Sequence, residues 1–202
     1  MRSMIRLSIL AVSAVFVLVG CGPAGEEGEL DNDMIADPEG EELAEAEDEL
    51  KYTCTNVATW NAAWVTFEND VLTLVNQKRA AGATCGGVAK PPVPALTLDT
   101  KLRCAARVHS KDMGTQNFFS HTGSDGTTFS QRITQAGYVW TAAAENIGAG
   151  YSTPTAAVNG WMASTGHCNN IMNGTYKHLG VGYFYGSTST YKHYWTQDFG
   201  KN

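Results

Sequence analysis

From Trp60 to Ala81 apolar residues recur every three or four positions, through Trp64, Phe67, Val71, Leu74 and Val75, and the period stops at Gly82. That spacing predicts one amphipathic helix with its aromatic residues turned to the core. A second helix is predicted from the capping residue Asp99, with Leu98, Leu102, Ala105, Ala106, His109 and Met113 along one face. A third runs from about Thr127 to Ala136 and stops at Gly137, with Phe129 and Ile133 inward. Thr153-Pro154 opens a fourth in the cap-then-proline order, burying Val158, Trp161 and Met162. Between the first two, Gly86-Gly87 and Pro91-Pro92-Val93-Pro94 force a loop.

Near the end of the chain the period changes. "LGVGYFYG" and "YKHYWTQDFG" are short, rich in Val, Tyr, Trp and Phe, and separated by Ser-Thr-Ser-Thr, so they read as an antiparallel hairpin. A strand at about Gly137 to Ala143 is expected to join them. Helices first, with strands between and after them, predict an α+β domain in which helices cover a small antiparallel sheet.

The first fifty residues follow a different logic. Arg2 and Arg6 precede an apolar run, Leu7 to Val19, that is short for a membrane span. The run ends at Leu18-Val19-Gly20-Cys21, which resembles the lipobox of bacterial lipoproteins, so residues 1–20 are expected to be a signal peptide and Cys21 the lipidated first mature residue. Acyl chains there would hold the protein on a membrane surface, periplasmic or cell-surface, without spanning it. An ordinary signal peptide or an N-terminal membrane helix is the alternative. Residues 22–50 hold thirteen Asp or Glu and no Lys or Arg, the composition of a solvated spacer. The folded domain is therefore expected over 51–202.

Charge divides along the same line. The whole chain carries −6, but residues 51–202 carry +5, a mildly basic surface suited to anionic wall polymers or phospholipid head groups. No Lys/Arg cluster is dense enough for nucleic acid. Once Cys21 is assigned to lipid, four cysteines remain, Cys54, Cys85, Cys104 and Cys168. An exported chain without a CxxC pair uses such cysteines as disulfides rather than as a zinc or redox site. Three connectivities are open. Loop entropy favours Cys85 with Cys104, a staple between successive helices worth on the order of 3 kcal/mol, which leaves Cys54 to meet Cys168.

The chemistry lies in "NFFSHTGSDGTTFSQR", "AENIGAG" and "WMASTGHCNNIM", which carry His121, Glu145 and His167. Glu145 is one of only seven acidic residues after position 50, and it sits among Ala, Ile and Gly. A carboxylate in an apolar segment needs a partner, and two histidines are at hand. Other polar residues have plainer readings. His109 is a hydrogen-bonded core histidine, Asp125-Gly126 a turn before the third helix, Arg132 a partner for a nearby carboxylate, and Asn146 a backbone tie. His178 and His193 receive no role. Trp140, Tyr151, Tyr183 and Tyr185 are read as core or sheet packing ahead of a ligand groove.

Taken in order, "LVNQKRAAG", "LTLDTKLRCAARVHSKDM", "FFSHTGSDGTTFSQRI", "ENIGAG", "GWMASTGHCNNIM", "HLGVGYFY" and "YWTQDFG" resemble the CAP superfamily, also called the SCP domain. That family includes cysteine-rich secretory proteins, insect venom antigen 5 and plant pathogenesis-related proteins. The resemblance covers about residues 68 to 200 and is nearest to the bacterial branch. It implies a three-layer α-β-α sandwich. It also implies a cleft where two histidines and two glutamates hold a divalent metal, most often zinc. His121, Glu145 and His167 match three of these positions, while the fourth carries Ser164. Two histidines, one carboxylate and a water still make an open zinc site; without metal, the histidines would hydrogen-bond Glu145. The family's lipid-binding members imply a binding module for a lipid, a wall glycan or a protein. A metal-assisted or serine-type hydrolase, peptidase or esterase, using the same cleft is the alternative; the serine type would have Ser164 or Ser120 as nucleophile, His167 or His121 as base and Glu145 orienting the base, although no GxSxG elbow is present.

Overall fold

The structure is a computed structural model that describes residues 54–202. The signal segment, Cys21 and the acidic spacer lie outside the described residues. A 3-10 turn at Cys54–Val57 leads into helix α1 (Ala62–Ala81), capped at its start by the Asn61 side chain, which accepts from Ala63 N–H at 2.8 Å. Strands β1 (Ala83–Cys85) and β2 (Val88–Lys90) form a small hairpin around Gly86-Gly87, where only a loop was expected. Strand β3 (Thr97–Leu98) precedes helix α2 (Thr100–Gln116), whose first turn Asp99 caps through Lys101 and Leu102 N–H. Then follow α3 (Phe129–Gln135), β4 (Ala142–Ala149), α4 (Pro154–Ala163), α5 (Thr165–Ile171), β5 (His178–Tyr185) and β6 (His193–Lys201).

The main sheet runs β3-β5-β6-β4, antiparallel except for the short β3–β5 pair. Its alternation sends Leu179, Val181, Trp195 and Phe199 to one face, against Val71 and Val75 of α1 and Val158 and Trp161 of α4. The other face meets α2 and α3 through Leu102, Ala105, Met113 and Ile133. The result is the three-layer α-β-α sandwich that the resemblance implied.

Among the buried charged groups, two tie α1 to the rest of the domain. Glu68 of α1 is fully buried and receives Arg107 in a fork, with Nε 3.0 and 3.1 Å from its two oxygens and Nη2 at 2.6 Å, and Arg103 Nε stands 3.7 Å away. Arg79, at the end of α1, has no carboxylate partner among the described residues. It donates instead to three carbonyls, of Pro94, Ile171 and Asn173, tying α1 to the end of α5; carbonyls at a helix C-terminus favour a cation.

Three sequence expectations are corrected. The disulfides are Cys54–Cys104 and Cys85–Cys168, not Cys85–Cys104 and Cys54–Cys168. Loop length compares unfolded chains, but position in the layers decides. Cys85 and Cys168 belong to the cluster under α1 and α4, whereas Cys104 lies on α2 across the sheet, where the 3-10 turn packs. The strand expected at Gly137 to Ala143 lies at Ala142–Ala149: Val139 and Trp140, its best β-formers, are exposed, and pairing with β6 begins at Ala142. Sheet pairing here overrides the low intrinsic preference of Ala-Glu-Asn-Ile-Gly-Ala. Finally, the loop expected at Gly86-Gly87 holds the β1–β2 hairpin; the stretch after Ser164, for which the sequence offered no reading, is a separate short helix, α5, that pivots on Ser164 in an extended conformation, φ −90° and ψ 126°.

Candidate functional site

β4 is an edge strand, so its open side is a cleft between the α2–α3 layer and the α4–α5 layer. His121 approaches from the first side, His167 from the second, and Glu145 rises from the strand between them.

His121 sits on a loop pinned to α2 at two points. After α2 the chain reverses at Asn117, which adopts a left-handed φ of 54° and donates its N–H to Met113 O. This return brings Ser120 O to 2.9 Å from His109 Nε2. Asp112 then accepts from Ser124 N–H at 2.8 Å and Ser124 Oγ at 2.6 Å. Asp125 makes the expected turn, accepting from Thr127 N–H, and Thr128 caps α3.

Arg132 fixes this loop to the sheet. Its guanidinium is buried and donates to Thr127 O, to His121 O at 2.9 Å and to Glu145 Oε2 at 2.7 Å. The other Glu145 oxygen meets His121 Nδ1 at 2.7 Å. Glu145 thus has one oxygen on a cation and one on a histidine whose side chain is 53% exposed. Burial pushes the Glu145 carboxyl up, but the His121 hydrogen bond and the charge and hydrogen bond of Arg132 help to outweigh it and hold it below the usual range. Across the ladder stands Asp198, fully buried, and among the described residues neither of its oxygens receives a hydrogen bond from another residue's N–H or O–H group. Burial first, and then the Glu145 charge, raises Asp198 well above the ordinary value, in the direction opposite to Glu145.

On the opposite wall Cys168 is locked to Cys85. Asn146 donates to His167 O at 3.2 Å and accepts from Asn170 Nδ2 at 2.9 Å, so α5 is tied to β4 through backbone and amides, as expected for Asn146. The His167 ring makes no hydrogen bond to another described residue. Burial, and then the charge of His121, hold it below the ordinary imidazole value. His167 and Ser164 line a cavity of about 260 Å³ together with Phe119, Tyr151, Trp161 and Tyr191. Phe119 and Tyr191 are exposed, with ring centres 5.9 Å apart at the mouth.

The structure brings His121 and Glu145 into direct contact and places His167 and Ser164 in the neighbouring cavity. It makes no catalytic pair of them. Ser164 caps neither helix with its side chain, and no serine hydroxyl here is bonded to a histidine. Ser120 meets His109 only through its carbonyl. Nor do the groups fit a divalent metal: Arg132 holds a positive charge against the one carboxylate. Among the described residues no three His, Cys, Asp or Glu side chains are placed to share an ion.

Sequence reasoning missed Asp198, Phe119 and Tyr191 as site residues and gave Arg132 only an unnamed carboxylate. A signal for Arg132 existed. It falls on the inward stripe of α3 beside Phe129 and Ile133, where a cation requires a buried anion.

The sequence model of the family described as "CAP: Cysteine-rich secretory protein family" matches residues 72–199. The chain belongs to the CAP family. Among CAP relatives, the uncharacterized protein YkwD of Bacillus subtilis is 32% identical over 133 residues, which cover 66% of this chain and 46% of YkwD. The uncharacterized membrane protein YlbC of the same organism is 33% identical over 140 residues, covering 69% of this chain and 36% of YlbC. The chain therefore spans less than half the length of these relatives. An extracellular Bacillus anthracis protein containing an SCP domain is 30% identical with a TM-score of 0.57, over 68% of this chain and 41% of that one. An outer surface protein of Borrelia burgdorferi shares the fold, at 20% identity, a TM-score of 0.53, and coverage of 66% and 93%.

His109, under the CAP cleft, provides a prediction. Burial lowers it from 6.5 to about 4, so the native state holds it neutral. Above pH 6.5 the folded and unfolded forms agree. As pH falls from 6.5 toward 4 the unfolded chain takes up the proton first and stability is lost, by about 3 kcal/mol in total. His109→Gln, which keeps a donor toward Ser120 O, is expected to flatten that part of the curve. Denaturant midpoints of both proteins across this range provide the check, and parallel curves would refute the assignment.

Proposed function

We propose that this CAP protein is an extracytoplasmic binding module, held at a membrane by an acylated Cys21, whose cleft receives a lipid, a wall glycan or a protein. One observation supports the cleft above other surfaces. It is the cavity beside the β4 edge, where exposed Phe119 and Tyr191 stand over Ser164 and the unpartnered ring of His167. Exposed aromatic rings beside a few convergent polar groups are the usual make-up of a small ligand site. The extracellular and outer-surface descriptions of the B. anthracis and B. burgdorferi proteins support the location. Among the described residues no helix is long and apolar enough to cross a membrane, and the lipobox-like Leu18-Val19-Gly20-Cys21 supports attachment through lipid.

The same site explains why binding is preferred to hydrolysis. Glu145 is held by His121 and Arg132 and orients no base toward a serine. With Glu145 Oε2 held by Arg132 and Oε1 by His121, the binding reading is framed without zinc.

The test uses the full chain in detergent, offered purified wall fragments, phospholipid vesicles and unfolded protein in turn, with peptide and ester turnover followed with and without zinc. Retention on one of the three ligands, weakened by both Phe119→Ala and His167→Ala and without turnover, is the expected result. Turnover abolished by His167→Ala would replace this reading with the hydrolase. Retention indifferent to both substitutions would remove the cleft from the function. Cys21→Ser is expected to release the protein from the membrane fraction.

A further inference from the structure

The floor of the cleft is itself a set of hydrogen-bonding groups. β4 pairs only with β6, and Gly150 N–H donates to His193 O at 2.9 Å beside the Ala149–Tyr194 position. In an antiparallel ladder this fixes the alternation: the even-numbered residues turn their N–H and C=O to β6, and Glu145, Ile147 and Ala149 turn theirs outward. Two of the outward carbonyls are already covered. Trp161 Nε1 donates to Ile147 O at 2.9 Å, and Asn170 Nδ2 reaches Glu145 O at 3.5 Å. Past Trp161 the cover ends. Among the described residues, no side chain is bonded to Ile147 N–H or to the N–H and C=O of Ala149, and Ile147, Gly148 and Ala149 form the wall of the cavity.

We propose that this uncovered end of β4 is a docking strip for an extended peptide segment, with one peptide residue exchanging both main-chain hydrogen bonds with Ala149. Resting on the cleft as the binding site, it selects the protein class among the three ligands. Three features favour a peptide. Ala149 presents a donor and an acceptor on one residue, the pair that a peptide residue matches with its own N–H and C=O, whereas an acyl chain satisfies neither. A residue added opposite Ala149 shares its face of the sheet. That face lies on the α2 side, where Phe119 comes in from the loop after α2, so the added side chain meets Phe119 and its neighbour Tyr191. The cavity, about 260 Å³, falls below the roughly 300–1,000 Å³ of sites for drug-sized ligands, and so suits a stretch of two or three residues.

The probe is a pool of acetyl-Ala-Xaa-Ala amides, with every residue type at Xaa, and a matching pool N-methylated at Xaa. Amide spectra of the full chain in detergent micelles supply the readout. The expected result is a saturable shift of the Ala149 and Ile147 amides, with Gly148 and the other ladder amides moving less. The N-methylated pool is expected to bind at least about tenfold more weakly, the factor that one lost hydrogen bond gives. Ala149→Pro removes only an outward N–H, which an edge strand tolerates, and is expected to weaken binding similarly while the β4–β6 ladder persists. Equal binding of the two pools, or shifts that avoid β4, would overturn the docking strip. If glycan or vesicles bind in the cleft and the peptide pool does not, the strip fails and the binding module stands. If nothing moves Phe119, His167 or β4, the module fails as well.

Discussion

Gly182→Ala is expected to destabilise this domain by at least about 4 kcal/mol, at the exceptional end for a single substitution. β5 crosses directly beneath α2, and a methyl group at position 182 would enter the backbone of Ala106; one at Gly180 would enter Leu102 in the same way. Ordinary overpacking costs about 1–3 kcal/mol because side chains change rotamer and make room. Here the obstructing atoms are main chain inside a helix that also carries Cys104, His109 and Asp112. Relief requires lifting α2 from the sheet, which would also shift the loop holding His121. Gly166→Ala is the comparison: its added carbon would meet nothing within 4 Å, and the change is expected to be nearly neutral. Urea midpoints of the three proteins decide the matter. A Gly182→Ala domain as stable as the parent would mean that helix and strand are less closely packed than described.

The second large effect is expected at Glu68. Breaking a buried ion pair by removing one member costs about 3–5 kcal/mol, because the remaining charge is left without compensation. Glu68→Ala would strand Arg107, which also lies over the Trp60 ring at 5.2 Å, together with Arg103, and it would remove the acceptor for Tyr183 N–H. Burial raises the Glu68 carboxyl above its usual range, even against both arginines. A group raised on folding favours the native state most at low pH and less as pH rises past its unfolded value. Glu68→Gln, which keeps the shape and an acceptor, is expected to cost clearly less than Glu68→Ala, and the loss relative to the parent should shrink for both variants as pH rises toward neutral. Thermal melts of the parent and both variants at two pH values test this: equal losses by the two variants would show that shape and acceptor contribute nothing, and losses that do not change with pH would refute the raised carboxyl.

Both cases show how far the sequence can be read. The alternation in "LGVGYFYG" announces a strand, but that Gly180 and Gly182 exist to admit a helix backbone depends on which helix lies above. Glu145 was legible as a site residue because a lone carboxylate among small apolar residues demands a partner. Its histidine partner followed from residue type, whereas Asp198 did not: in "YWTQDFG" it reads as an outward polar residue of a half-exposed strand, and only pairing opposite Glu145 buries it. The cleft's position on an edge strand was hidden for the same reason, since strand order is set by nonlocal pairing. The disulfides failed at the same level. Spacing along the chain ranked Cys85–Cys104 first, while the sheet stands between the layers that hold them.

The Cys54–Cys104 bond also sets where the domain bears a load. Any pull arriving through the residues before Cys54, as from a surface to which the N-terminal end is attached, passes across that bond into the first turns of α2. The 3-10 turn and α1 lie outside this route, so tension does not unzip them in sequence. It reaches first the helix that lies along the sheet and anchors the His121 loop. A tethered molecule of this design would hold its cleft in shape under drag until the sandwich yields as a whole.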